Sequence, residues 1–272
     1  MNELLKKLTE AAGVSSTEKE VRTLIRDLIA DHVDEWHVDA LGNLIALKSG
    51  TGELDLRVMI DAHMDEVGLM ISEIDSGALL KFETVGGIGD RTLLGKVVQV
   101  GPEKITGVIG ARPIHLLKAN QRKSVIKREA MRIDIGAKNR NAAAEKVKVG
   151  DTATFVTEYE EIGSTAVGKA FDDRAGCAAL IELLRGDPYP FDLIAAFTVQ
   201  EEVGLRGAQV AAYGIRPDVA IVLECTPAFD LPTEQDISPN VFLGKGPAVF
   251  HGQSQSLGMF QGIPDSFNLA VK

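Results

Sequence analysis

The sequence predicts an α/β protein, a mixed and mostly parallel sheet with flanking helices, interrupted by a small inserted β-barrel. Three observations predict it. Apolar runs of strand length stand at Leu56–Ala62, Leu193–Val199 and Val219–Leu223, separated by helix signals, as in buried parallel strands of βαβ units. Apolar residues recur at helical spacing in Val21, Leu24, Ile25, Leu28 and Ile29, and again in Ala178, Leu180, Ile181 and Leu184. From about Leu69 to Gly163 the character changes to short β-prone runs broken by glycines, among them Gly86-Gly87, Gly95, Gly101 and Gly150, the pattern of a small barrel or sandwich. Residues 1–68 and 164–272 are read as one discontinuous α/β domain, and 69–163 as the insertion.

In chain order, Leu4, Leu5 and Leu8 share one helical face, and Gly13 is a stop. Thr17 and Glu20 have the spacing of a capping box for the next helix. Trp36-His37-Val38 and Leu44-Ile45-Ala46-Leu47 flank the turn-rich Asp39–Asn43, which predicts a hairpin. After the insertion, a helix over Arg174–Leu184 is stopped by Gly186-Asp187-Pro188. A further helix over Ala208–Tyr213 is closed by Gly214 and Pro217.

Composition narrows the function classes. Of 272 residues, 45% are apolar and 25% charged, which predicts a folded core. The net charge of −10 argues against nucleic acid or an anionic membrane as partner, and suits a site that gathers metal cations. Met1–Lys7 carries no apolar targeting segment, and no run approaches the ~18 apolar residues of a membrane span. The two cysteines, Cys177 and Cys225, make neither a disulfide framework nor a zinc knuckle, which points to a reducing cytoplasm.

His63 with Asp65, the pair Glu201-Glu202, and Glu224 each follow one of the three strand candidates. In open α/β sheets the binding crevice lies outside the carboxyl ends of the strands, so these groups are expected to converge. Asp172-Asp173 stands ahead of a helix, whose N-terminus favours carboxylates. One histidine among several carboxylates suits Zn²⁺, Co²⁺ or Mn²⁺. One glutamate of the 201–202 pair can bind metal while its neighbour takes a proton from water. Asp65 can orient the imidazole from its far nitrogen. Asp173 is read as a helix N-cap, His32 and His37 as surface residues, His115 as structural or interfacial, and Cys225 as a buried hydrophobe.

The strings AHMDEVG (62–68), AFDDRAG (170–176), QEEVGLRGA (200–208) and LECTPA (223–228) resemble the glutamyl aminopeptidase and tetrahedral aminopeptidase family of co-catalytic metallopeptidases, whose members also carry a cellulase-like label. The resemblance runs from Leu41-Gly42-Asn43-Leu44 to Gly244-Lys245-Gly246-Pro247. It implies a two-metal exopeptidase fold with zinc or cobalt, an inserted barrel used in oligomerisation, peptide substrates, and homo-oligomers from dimers to dodecamers. By motif, His63 and Glu224 would bind one metal, Glu202 the other, and Asp172 would bridge both. Glu201 would be the general base, and Asp65 the partner that orients the His63 ligand.

The resemblance also places a second histidine ligand in a segment beyond Gly-Lys-Gly-Pro, where this chain runs Ala248–Lys272 without that motif. The expectation is a C-terminally truncated or altered family member whose second metal site is weak and whose activity is low, unless His251 substitutes. An inactive homologue serving as a structural subunit and an endoglucanase-like glycosidase are the rival readings. A glycosidase would need only two suitably spaced carboxyls and no metal, so chelation separates it from the peptidase.

Overall fold

The computed structural model describes residues 1–116, 123–228 and 241–249. Met1–Glu224 forms one compact unit and Cys225–Lys272 a second. In the second, the described residues carry a turn in which Lys245 N–H donates to Phe242 C=O at 3.2 Å.

In the first unit, α1 (Asn2–Glu10) and α2 (Lys19–Ile29) bury Leu4 and Leu8, and Val21, Ile25 and Ile29, as their stripes predict. The capping box does not form. Thr17 Oγ1 donates instead to Val14 C=O at 2.8 Å, while Glu20 accepts from Ala12 N–H and Lys104. The chain makes a tight turn here before the helix, so the local hydroxyl–carbonyl bond competes successfully with the cap.

The hairpin is present as β1 (Glu35–Val38) and β2 (Leu44–Lys48), with Trp36 opposite Ala46. Its turn is built by Asp39, whose Oδ1 accepts the N–H groups of Leu41, Gly42 and Asn43 at 2.9 Å each. Gly42 sits at φ 111°, a conformation that favours glycine.

Strand β3 (Arg57–His63) leads into the barrel: β4 (Gly68–Ile74), β5 (Leu80–Val85), a short α3 (Asp90–Leu93), β6 (Val97–Val100), β7 (Ile105–Ala111), β8 (Met131–Asp134), α4 (Arg140–Ala144) and β9 (Thr152–Phe155). The six strands close in the order β4-β5-β8-β7-β6-β9. Closure leaves no open edge, and alternate residues such as Leu69, Ile71, Leu80, Phe82, Val98, Val100, Ile109 and Ile133 fill a core of the barrel's own. Strands β10 (Glu160–Ile162) and β11 (Thr165–Val167) form a separate hairpin that turns at Gly163, φ 63°.

The chain then returns to the layered part through α5 (Phe171–Arg185), β12 (Asp192–Thr198), α6 (Arg206–Ile215) and β13 (Val219–Val222). Helix α6 continues through Gly214 and stops at Arg216, left-handed at φ 51°, just before Pro217. The five-stranded sheet is mixed, in the order β1-β2-β12-β3-β13. The hairpin joins antiparallel through β2, while β12 and β13 flank β3 in parallel.

One face of the sheet packs Leu44, Ala46, Val58, Ile60 and Phe197 against Leu8, Val21, Ile25, Leu180, Ile181 and Leu184 from the helices. The other face joins Ile45, Met59, Ile194, Ala196 and Ala220 to Ala211 of α6. Each large side chain so buried contributes about 1.5–3 kcal/mol. The register aligns the strand ends. Thr198 pairs with His63 and Val222 with Asp61, so β3, β12 and β13 finish level with one another.

Candidate metal centre

Level strand ends put three chain segments at one rim of the sheet. His63, the last residue of β3, is 3% exposed. Its Nε2 lies 2.9 Å from Asp172 Oδ1, 3.7 Å from Glu224 Oε1 and 3.9 Å from Glu201 Oε2. The donor atoms of His63, Asp172 and Glu224 all fall within 4.8 Å of one another. Glu202 stands outside that group, one residue further along the loop.

Asp172 is delivered by irregular backbone. Ala170 is left-handed at φ 52°, the Asp172-Asp173 peptide is cis, and both aspartates have non-helical backbone angles. Regular helix begins after Asp173, whose Oδ1 accepts Gly176 N–H at 3.0 Å, the contact of an N-cap. The expected start at Arg174 therefore describes the regular part of α5.

Asp65 organises the opposite side. Its Oδ1 is 3.3 Å from His63 Nδ1, which has no well-formed hydrogen bond among the described residues. Its well-formed contacts go elsewhere: Oδ1 accepts Glu201 N–H at 2.9 Å, and Oδ2 accepts Glu202 N–H at 3.2 Å and Ser15 O–H at 2.5 Å. Asp65 thus holds the backbone that aims both glutamates. Behind that loop, buried Asn43 accepts Val199 N–H and donates to Gly207 C=O, both at 3.0 Å. Sequence reasoning passed over Ser15 and Asn43, although Asn43 lay in a segment that carried the family resemblance.

Electrostatics here is dominated by crowded carboxylates. Burial disfavours a charged His63, yet the hydrogen bond to Asp172 and the nearby carboxylates of Asp65 and Glu224 outweigh it and hold the imidazolium well above its usual range. The contact with His63 in turn keeps Asp172 low. Burial and the neighbouring Asp172 charge push Glu202 up to about 7. Glu201 is also raised, by burial and then by Glu224 and Asp65. Asp61 and Asp173, deeper in the protein, reach about 7 and about 8 through burial. One imidazolium offsets a single negative charge and a divalent cation two, and mixed imidazole and carboxylate donors suit Zn²⁺ or Co²⁺. The residues present fit such an ion.

The sequence profile of the M42 glutamyl aminopeptidase family matches residues 42–261. The chain belongs to that family. The lysyl aminopeptidase of Pyrococcus furiosus is 35% identical over 91% of this chain and 72% of its own length. An aminopeptidase from the archaeon Desulfurococcus kamchatkensis aligns with a TM-score of 0.85 at 37% identity, covering 91% of this chain and 69% of its own. The TET1 peptidase of Pyrococcus horikoshii, described as assembling into a tetrahedron or a large octahedral shell, is 40% identical with a TM-score of 0.74, over 84% of this chain and 71% of its own. Membership makes this M42 protein a metallopeptidase, a hydrolase of peptide bonds. The glycosidase reading gives way to it.

His32, His37 and His115 are exposed, and Cys225 is half-buried where a buried residue was expected, because it follows the end of β13. His251 lies outside the described residues. No helix among the described residues is long and apolar enough to cross a membrane.

Proposed function

We propose that the chain removes N-terminal residues from peptides, with His63, Asp172 and Glu224 holding one divalent ion, zinc or cobalt, and Asp172 and Glu202 sharing in a second. The observation that carries this reading is the clustering of the three donor side chains within 4.8 Å at level strand ends. A bound divalent cation polarises the scissile carbonyl and makes water a competent nucleophile at neutral pH.

The chain's own residues do the rest. Glu201, 3.9 Å from His63 Nε2, takes the proton of the attacking water and returns it to the leaving amine. Asp65 keeps Glu201 aimed by accepting its backbone N–H. The surrounding carboxylates draw in the ammonium group of a free peptide N-terminus.

The inserted barrel is our candidate for self-association. Met70, Leu94 and Val108 are exposed apolar residues on or beside its strands, and we read the chain as a homo-oligomer that assembles through residues 69–163. Only two cysteines, in no Cys-x-x-Cys spacing, support a cytoplasmic location.

Glu201→Gln tests the assignment because it removes the base without removing a ligand. Metal content should stay at the wild-type level, while hydrolysis of aminoacyl anilides drops by about 10²–10⁴-fold. Near-normal turnover would overturn the mechanism.

A further inference from the structure

Asp172 is placed by a segment that no strand ladder holds. Between β11 and the regular part of α5 the backbone passes through left-handed Ala170 and the non-helical Asp172 and Asp173. Something else must set the distance between this segment and His63.

Lys169 is the residue in position to do so. It is 9% exposed, and its Nζ donates to both Glu66 oxygens at 2.8 Å and to Ala11 C=O at 3.0 Å. Glu66, 2% exposed, directly follows Asp65 in the loop that leaves His63. Its Oε1 also accepts Gly13 N–H and Thr154 Oγ1–H, both at 3.0 Å. One carboxylate therefore ties four segments together: the His63 loop, the Asp172 segment, the chain entering α2, and strand β9 of the barrel. Arg174 braces the same junction through Met64 C=O at 2.9 Å. Gly13 leaves no spare room here, since a Cβ on it would come within 2.6 Å of the Arg174 guanidinium.

We propose that the buried Glu66–Lys169 ion pair is the positioning element of the metal centre: it sets Asp172 against His63 and couples both to the barrel. This rests on the proposed metal centre. Lys169 and Glu66 are positioning residues that touch neither metal nor substrate. A buried pair can be replaced by neutral side chains with little loss of stability, so stability and positioning can be separated.

The test compares Glu66→Gln, Lys169→Met and the double variant with wild type, reading thermal unfolding and Zn²⁺ affinity by competition with a chromophoric chelator. Each single variant should be destabilised, because it strands one buried charge. The double variant should recover stability, yet still bind Zn²⁺ about 10–100-fold more weakly, the usual cost of losing a residue that orients a ligand. Zn²⁺ affinity that recovers along with stability would overturn the proposal.

Should the double variant fail to fold, Lys169→Arg carries the test. It keeps the charge but changes reach and geometry. Weaker Zn²⁺ binding in a folded, equally stable protein supports the positioning role, and unchanged binding refutes it. If wild type itself took up no Zn²⁺, the metal-centre reading would fall and this proposal with it. Wild-type binding with unaltered variants would remove only the pair's role.

Discussion

At the residue scale, the centre is an imidazole held among acids, and its behaviour follows from that. His63→Ala should lower the zinc or cobalt bound per chain, and Asp172→Ala should lower it further, because Asp172 is the residue nearest His63 and the one assigned to both ions. Metal analysis of the purified variants checks this, and unchanged content in both would dismantle the assignment. Proton linkage gives a second expectation. Without metal, the carboxylates keep His63 protonated, and burial holds Glu202 near 7. Ligands must lose protons to bind, so metal uptake should release protons, and affinity should rise with pH through about 7. Calorimetry in buffers of different ionisation enthalpy measures the release, and binding independent of pH would contradict this charge arrangement.

At the element scale, three parallel strand ends make the site, and turn chemistry keeps them level. Asn43 ties the β1–β2 turn to the end of β12 and the start of α6. Asn43→Ala strands Val199 N–H and Gly207 C=O, each at a cost of about 1–3 kcal/mol. Chemical denaturation should show a lower midpoint at an unchanged slope. A variant as stable as wild type would mean that water or another group takes over both bonds.

Much of this level was legible in the sequence because apolar periodicity reports burial directly. The runs ending at Ala62, Val199 and Leu223 became β3, β12 and β13 to within a residue or so. The capping box was misread because Thr17 had a nearer acceptor in Val14 C=O, a competition that spacing does not reveal. Ser15, Glu66 and Lys169 escaped for a related reason. Their partners lie 50 residues or more away, at Asp65, Thr154 and Glu66, and only the folded register brings them together. His63, Glu201 and Glu224 could be picked out because fold class says where strand ends converge, whereas Asp172 precedes a helix and took its role from the family resemblance.

At the scale of the whole molecule, a layered α/β part presents the centre and a closed barrel interrupts it between β3 and α5. If residues 69–163 form the contact between copies, charging an exposed apolar position there should dissociate the assembly while leaving the barrel core intact. Val108, 45% exposed on β7, is such a position. Val108→Glu should sediment as a smaller species than wild type, with metal content preserved. Identical sedimentation would remove this part of the barrel from the interface.

The central claim is that hydrolysis depends on an ion held by His63, Asp172 and Glu224. The most direct measurement follows hydrolysis of a panel of aminoacyl anilides by the purified chain before chelation, after chelation, and after Zn²⁺ or Co²⁺ is returned. The account predicts turnover that vanishes with the metal and reappears on its return in wild type but not in His63→Ala. Turnover persisting in metal-free protein, or restored equally in His63→Ala, would contradict it.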